Sequence, residues 1–113
     1  MGHTLAELEA AAQAMTERIV ERFDPEQVIL FGSVARGDVH PDSDVDLLVV
    51  MPFEGPRREK RIEVAVALDD VAALVPRDVF LVAPDDLAAR RELVGTLERP
   101  ACEEGRSLYA RAA

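Results

Sequence analysis

The stretch "ILFGSVARGDVHPDSDVDLLVVM", Ile29 to Met51, decides how the rest of this chain is read. It opens and closes in apolar runs short enough to be buried strands. Between them lie a Gly-Ser pair and Arg36, and the second run carries Asp44 and Asp46 at alternate positions. Strand side chains two residues apart share a face, at about 6–7 Å. At an effective dielectric near 20, two carboxylates at that separation repel by roughly 2–3 kcal/mol. A divalent cation relieves that repulsion, because Mg²⁺ favours one or two carboxylates together with phosphate oxygens and water. The plainer reading, a Ser43-Asp44 turn with Asp46 solvated at the sheet end, is the more frequent explanation of D-x-D taken alone.

The first half of the stretch shifts that balance. Gly32-Ser33 follows directly on the apolar run ending at Phe31, and Val34-Ala35-Arg36 continues it. Glycine permits close backbone approach, and a serine at a strand-to-helix corner offers a hydroxyl and an N–H to a phosphate. Arg36 stands one helical turn from Ser33, within reach of the same anion, and equally able to pair with Asp38 or Asp42 at little energetic gain. A third carboxylate would complete a metal site. Asp78 is the best placed, because it interrupts the apolar run "RDVFLVA", where an unpaired charge is costly. A frayed strand start is its plainer explanation. Asp69 and Asp70 fall on the polar side of a helix, and Asp85 and Asp86 suit the positive end of a helix dipole.

Working outward, Thr4 to Glu7 is a T-x-x-E capping box, and apolar residues from Leu5 to Phe23 recur at helical spacing up to the stop Asp24-Pro25. Strands are expected at Gln27–Phe31, Asp44–Met51 and Arg77–Ala83. A helix is expected from Arg57 to Leu74, with Val64, Ala65, Leu68, Val71, Ala72 and Val75 on its apolar face. Pro84 opens a further helix reaching at least Leu93, with a break near Gly95 or Pro100 if it extends to Cys102. A short last strand is expected at Ser107–Ala110. The pattern predicts one α/β domain over residues 1–113, a short mixed sheet with helices packed mainly on one face.

The 113 residues carry 22 acidic and 13 basic side chains, a formal net charge of −9. That balance disfavours direct nucleic-acid binding, whose affinity comes from Lys and Arg on phosphates. No apolar run approaches the ~20 residues of a membrane span, and no signal-peptide pattern opens the chain. The single cysteine, Cys102, excludes an internal disulfide or a cysteine-based metal cluster, so a cytoplasmic setting is the default expectation. Cys102 reads as a small buried side chain. His40 reads as a loop residue rather than a base. The basic run Arg57, Arg58, Lys60 and Arg61 opposes a helix dipole, which hints at a triphosphate or partner contact. Glu54, Glu59 and Glu63 offer it plainer salt bridges.

Gly32-Ser33, ten residues, then Asp44-Val45-Asp46 resembles the G-S-x₁₀-D-x-D signature of the minimal nucleotidyltransferases of the DNA polymerase beta-like superfamily. "FGSVARG" and "SDVDLLVV" are similar to that family's wording, and Asp78 takes the place of its third carboxylate. The likeness runs over essentially the whole chain. It implies a nucleotidyltransferase α/β core in which Gly32 and Ser33 hold the β- and γ-phosphates of a nucleoside triphosphate, expected to be ATP. Asp44 and Asp46 would bind one or two Mg²⁺ ions. Asp78 would complete that site and help deprotonate the acceptor hydroxyl, and Arg36 would add a phosphate contact.

Larger relatives carry an acceptor-binding domain, and the resemblance to the minimal members implies that acceptor recognition here is expected from another chain or from self-association as a homo-oligomer. Minimal nucleotidyltransferases commonly accompany HEPN-domain toxins, and the resemblance implies an antitoxin that adenylylates a tyrosine of such a partner. The alternatives are a non-catalytic antitoxin that neutralises by binding alone, and nucleotidyl transfer to a small molecule or an RNA end.

Overall fold

The computed structural model describes residues 2–72 and 74–112. Helix α1, Leu5–Phe23, starts where the capping box places it: the Glu7 N–H donates to Thr4 Oγ1 at 3.1 Å and the Thr4 N–H to Glu7 Oε1 at 2.9 Å. Leu8, Ala12, Met15 and Ile19 are buried on its inner face, and Asp24 closes it in the left-handed conformation at φ 50°. Strand β1, Gln27–Phe31, has the expected bounds. It passes directly into a short helix, α2, Gly32–Arg36. Strand β2 covers Val45–Val50, one residue shorter at each end than expected.

Helix α3 covers Arg57–Ala67 and not the longer span to Leu74. Arg18 takes a carbonyl that a longer helix would have used for its own i to i−4 bond, and Arg77 braces the turn that follows. Arg18 Nη1 donates to Ala67 O at 2.9 Å and Arg77 Nη1 to Ala72 O at 2.8 Å. The chain beyond Leu68 therefore runs in turns, although Leu68 and Ala72 remain buried as the periodicity requires. Strand β3 covers Arg77–Val82, helix α4 Pro84–Arg90, helix α5 Glu98–Glu104 and strand β4 Arg106–Ala110. Helix α4 stops at Arg90, short of the Leu93 expected for it, and the chain turns through Gly95, at φ 87°, before α5. Pro100 sits in the first turn of α5, where its missing N–H costs nothing.

The four strands form one mixed sheet in the order β3-β2-β1-β4. β1 runs antiparallel to both β2 and β4, while β2 and β3 run parallel. Alternation along the strands divides the apolar side chains between two cores. Val28, Leu30, Leu47, Val49, Val79 and Leu81 meet α1 and α3 in the larger one. Ile29, Phe31, Leu48, Val50 and Val82 meet Leu87 of α4 and Ala101 of α5 in the smaller one. The two long helices thus lie on one face, and the other is covered by helices of only seven residues each. Cys102 is half-buried against that smaller core. Among the described residues no helix is long and apolar enough to cross a membrane.

Candidate active site

The topology determines which side chains meet. β1 ends where β2 and β3 begin, so three strand termini share one end of the sheet. Phe31 stands opposite Asp46 in the antiparallel ladder, and Asp46 stands opposite Asp78 in the parallel one. Alternation then puts Asp46 and Asp78 on the same face as Phe31 and Phe80, whose rings lie 5.8 Å apart at the rim of the smaller core. Asp44 precedes β2 by one residue and reaches the same point. Carboxylate oxygens of Asp44, Asp46 and Asp78 all lie within 4.8 Å of one another. Asp44 and Asp46 are half-buried and Asp78 is exposed, as a residue at a strand start would be.

Bringing three carboxylates together beside apolar rings has an electrostatic cost. Burial above all, then the negative charges of Asp44 and Asp78, push the Asp46 carboxyl up to about 6, partly opposed by Arg36. Asp44 is also raised, first by burial and then by its hydrogen bond and like charge with Asp78. Three oxygens so close, with few compensating donors, fit a hard divalent cation, whose charge reverses the penalty. Asp44, Asp46 and Asp78 are the residues that would hold it.

The Gly-Ser corner packs directly on this cluster. Gly32 has φ 77°, and a Cβ there would collide with the Asp46 carboxylate, 3.2 Å from its Cγ. Only glycine serves both the backbone angle and the contact. Ser33 Oγ donates to Ser43 Oγ at 3.2 Å, and Ser43 Oγ accepts the His40 N–H at 2.9 Å. Ser43 is 5% exposed. It ties the Gly-Ser corner to the turn that delivers Asp44. Its place two residues after Pro41 in a polar loop marked it only as a turn former, so its tethering role was invisible in the sequence.

The other charged residues lie elsewhere. Arg36 pairs with Glu104 of α5 at 3.3 Å, not with Asp38 or Asp42, yet stays close enough to Asp46 to lower its pKa. Asp69 pairs with Arg77 at 2.8 Å, Asp70 with Arg18 at 2.6 Å and Asp86 with Arg57 at 3.7 Å, and none of these aspartates joins the triad. Lys60 pairs with Glu63 at 3.4 Å, the plain salt bridge expected there, and lies over the Phe23 ring. Arg61 does not. Its Nε donates to Val79 O at 2.5 Å and its guanidinium lies 4.6 Å from the centre of the Phe80 ring. His40 is exposed and contributes its backbone N–H.

Residues 13–96 match the model of the nucleotidyltransferase domain family. The chain is 44% identical over 46 residues to the protein adenylyltransferase MntA of Thermococcus cleftensis, a match covering 41% of this chain and 46% of that protein. The chain therefore spans about half the length of this curated relative. A crystal structure from Sulfolobus solfataricus, a candidate nucleotidyltransferase, superposes with a TM-score of 0.68 at 20% identity, covering 95% of this chain and 84% of the other. A toxin-antitoxin crystal structure with AMP-PNP gives a TM-score of 0.62 at 23% identity, covering 88% and 73%. These two likenesses establish the fold. With the family model matching most of its length, the chain belongs to the nucleotidyltransferase domain family.

Proposed function

We propose that this protein transfers AMP from ATP to a hydroxyl, a tyrosine of a HEPN-type toxin partner, and acts as that partner's antitoxin. The observation that carries the reading is the convergence of Asp44, Asp46 and Asp78 to within 4.8 Å, with Gly32 pressed against Asp46. A purely adhesive surface has no use for three mutually repelling carboxylates. The protein adenylyltransferase name of the Thermococcus relative supports the choice of AMP and of a protein acceptor. The AMP-PNP in the toxin-antitoxin structure supports an adenine nucleotide and a toxin partner.

In this reading Gly32 and Ser33 hold the β- and γ-phosphates, with Arg36 as an added contact. The acceptor oxygen forms a bond to the α-phosphorus, the bond to the oxygen bridging to the β-phosphate breaks, and pyrophosphate leaves. Asp78, the most open of the three carboxylates, receives the hydroxyl proton. Asp44, Asp46 and Asp78 would hold Mg²⁺, which when bound supplies charge neutralisation at the attacking and leaving oxygens. Positioning and electrostatics account for most of the catalysis in such displacements. Localisation in the cytoplasm fits an ATP-dependent reaction.

The test is incubation with ATP labelled in its α-phosphate, Mg²⁺ and the toxin. Label on a toxin tyrosine is the expected result. An unlabelled toxin that is nonetheless inhibited in a stable complex would overturn transfer in favour of neutralisation by binding.

A further inference from the structure

Two approaches to the sheet deliver the triad. Residues 40–44 lead into β2 and carry Asp44, and residues 74–76 lead into β3, whose second residue is Asp78. The parallel ladder sets Asp46 opposite Asp78, but Asp44 lies ahead of β2, so its place follows from the turn before it. The Ser43 N–H closes that turn by donating to His40 O at 2.9 Å, which puts Pro41 at the first central position, where its fixed φ is suited. The Val45 N–H donates to Pro76 O at 2.9 Å and joins the two approaches where they enter the sheet.

The residues ahead of α1 join them a second time. Gly2 lies against the turn: a Cβ there would stand 2.8 Å from Pro41 Cα and 3.1 Å from its carbonyl oxygen, so only glycine packs this close to that backbone. The next residue reaches the other approach, His3 Nε2 donating to Leu74 O at 3.0 Å. A carbonyl only accepts, so Nε2 carries the proton. His3 Nδ1 stands 3.9 Å from Glu7 Oε2, and Glu7 is fixed in turn by the capping box with Thr4. Leu5 packs on the larger core, so both residues are mounted on the anchored first turn of α1. The Leu74 side chain is 87% exposed, which leaves the carbonyl as this residue's point of attachment.

We propose that Gly2 and His3 form a strap across the two approaches, and that His3 is a positioning residue holding Asp44 and Asp78 at the separation a divalent cation needs. Carboxylate oxygens of Asp44, Asp46 and Asp78 gather within 4.8 Å, and their like charges act to part the segments that carry them. Mg²⁺ takes its oxygens at about 2.0–2.1 Å in near-octahedral geometry, so carboxylates allowed to part lose affinity for it. A tie outside the site opposes the repulsion before the metal arrives, which is preorganisation by a supporting shell. The proposal rests on the transferase reading for its kinetic arm alone. It adds to that reading residues outside the motif that shape the metal site without touching metal, nucleotide or acceptor.

The test uses the full chain, with Mg²⁺ alone as the first probe, and the variants His3→Ala, His3→Gln and Leu74→Ala. A glutamine Nε2 can donate to the same carbonyl, so His3→Gln is the rescue. Leu74→Ala keeps the carbonyl and is the control. By calorimetry His3→Ala should weaken Mg²⁺ binding roughly two- to tenfold, the worth of one hydrogen bond, with His3→Gln and Leu74→Ala close to the parent. Without metal, amide hydrogen exchange at Ser43 and Val75 should quicken in His3→Ala and in neither other variant. With labelled ATP and the toxin, the Mg²⁺ concentration for half-maximal transfer should rise by the same factor, while kcat at saturating Mg²⁺ moves less than about twofold. Unchanged Mg²⁺ affinity and exchange in His3→Ala overturn the strap. So does a loss that His3→Gln fails to restore or that Leu74→Ala shares. Weakened Mg²⁺ binding restored by glutamine, with no label transferred even by the parent, upholds the strap and overturns the transferase reading.

Discussion

Gly32 and Asp46 occupy one space: a Cβ on the glycine would fall on the aspartate's carboxylate, 3.2 Å from its Cγ. Gly32 opens α2 just past the end of β1, and Asp46 stands opposite Phe31 in the adjacent antiparallel strand β2. The Gly-Ser corner and the D-x-D pair are therefore a single packed unit.

Gly32→Ala should disturb both halves of that unit at once. Its φ of 77° makes any side chain strained, and the carboxylate would have to move. The expected loss is about 1–3 kcal/mol of stability in urea unfolding, accompanied by weaker AMP-PNP binding by calorimetry. A variant that unfolds and binds like the parent would show that the contact is dispensable.

Asp46→Asn should raise stability without metal while abolishing transfer. The folded-state pKa of Asp46, about 6, lies above the ordinary carboxylate value. The folded protein thus holds more protons than the unfolded chain between about pH 4 and 6, and stability falls as pH rises through that window. Above it the cost is fully present; below it the cost is absent. With solvent screening at a half-exposed group, the gain from Asn near pH 7 is on the order of 1 kcal/mol. Thermal melts of parent and variant across pH 4–8 should diverge over that window. Adding Mg²⁺ should raise the parent's Tm and leave the variant nearly unmoved.

Ser43→Ala removes the acceptor of the His40 N–H and the partner of Ser33 Oγ. Losing those bonds in a buried position costs about 1–2 kcal/mol. The kinetic effect should fall on KM for ATP more than on kcat, because the tether places the corner and does not touch the reacting atoms. Steady-state kinetics with varied ATP decides it, and an unchanged KM would deny the tether any role.

Arg36→Ala and Glu104→Gln separate the two uses of Arg36. Their ion pair is solvent-exposed at 3.3 Å and contributes little to stability. Removing Arg36 should raise the Asp46 pKa further, since its charge now lowers it. It should also weaken AMP-PNP binding several-fold. Glu104→Gln should do neither. Carboxyl-carbon NMR titration of Asp46 and calorimetry with AMP-PNP provide the two readouts.

Local signals were legible in the sequence wherever the physics is local. The Thr4–Glu7 capping box, the bounds of β1, the turn at Gly95 and the spacing between Ser33 and Asp44 all follow from neighbours along the chain. The nomination of Asp78 rested on the cost of a charge inside an apolar run. The end of α3 was missed because Arg18 lies 49 residues from Ala67, whose carbonyl it takes. The ion pair of Arg36 with Glu104 lay outside the neighbours weighed for it, Asp38 and Asp42, because Glu104 is 68 residues away.

The sequence by itself determined the elements and nominated the residues for the site, through capping, periodicity and the cost of charge on apolar strands. Only the tertiary structure decided that the nominees meet. The parallel pairing of β3 with β2 sets Asp78 beside Asp46, and the antiparallel pairing of β1 lays Gly32 on the same carboxylate. The strand order also leaves β3 at the edge, where Arg61 crosses to the face of the triad. Strand order and register are long-range choices made by burying two apolar faces at once, and no window of neighbouring residues contains them.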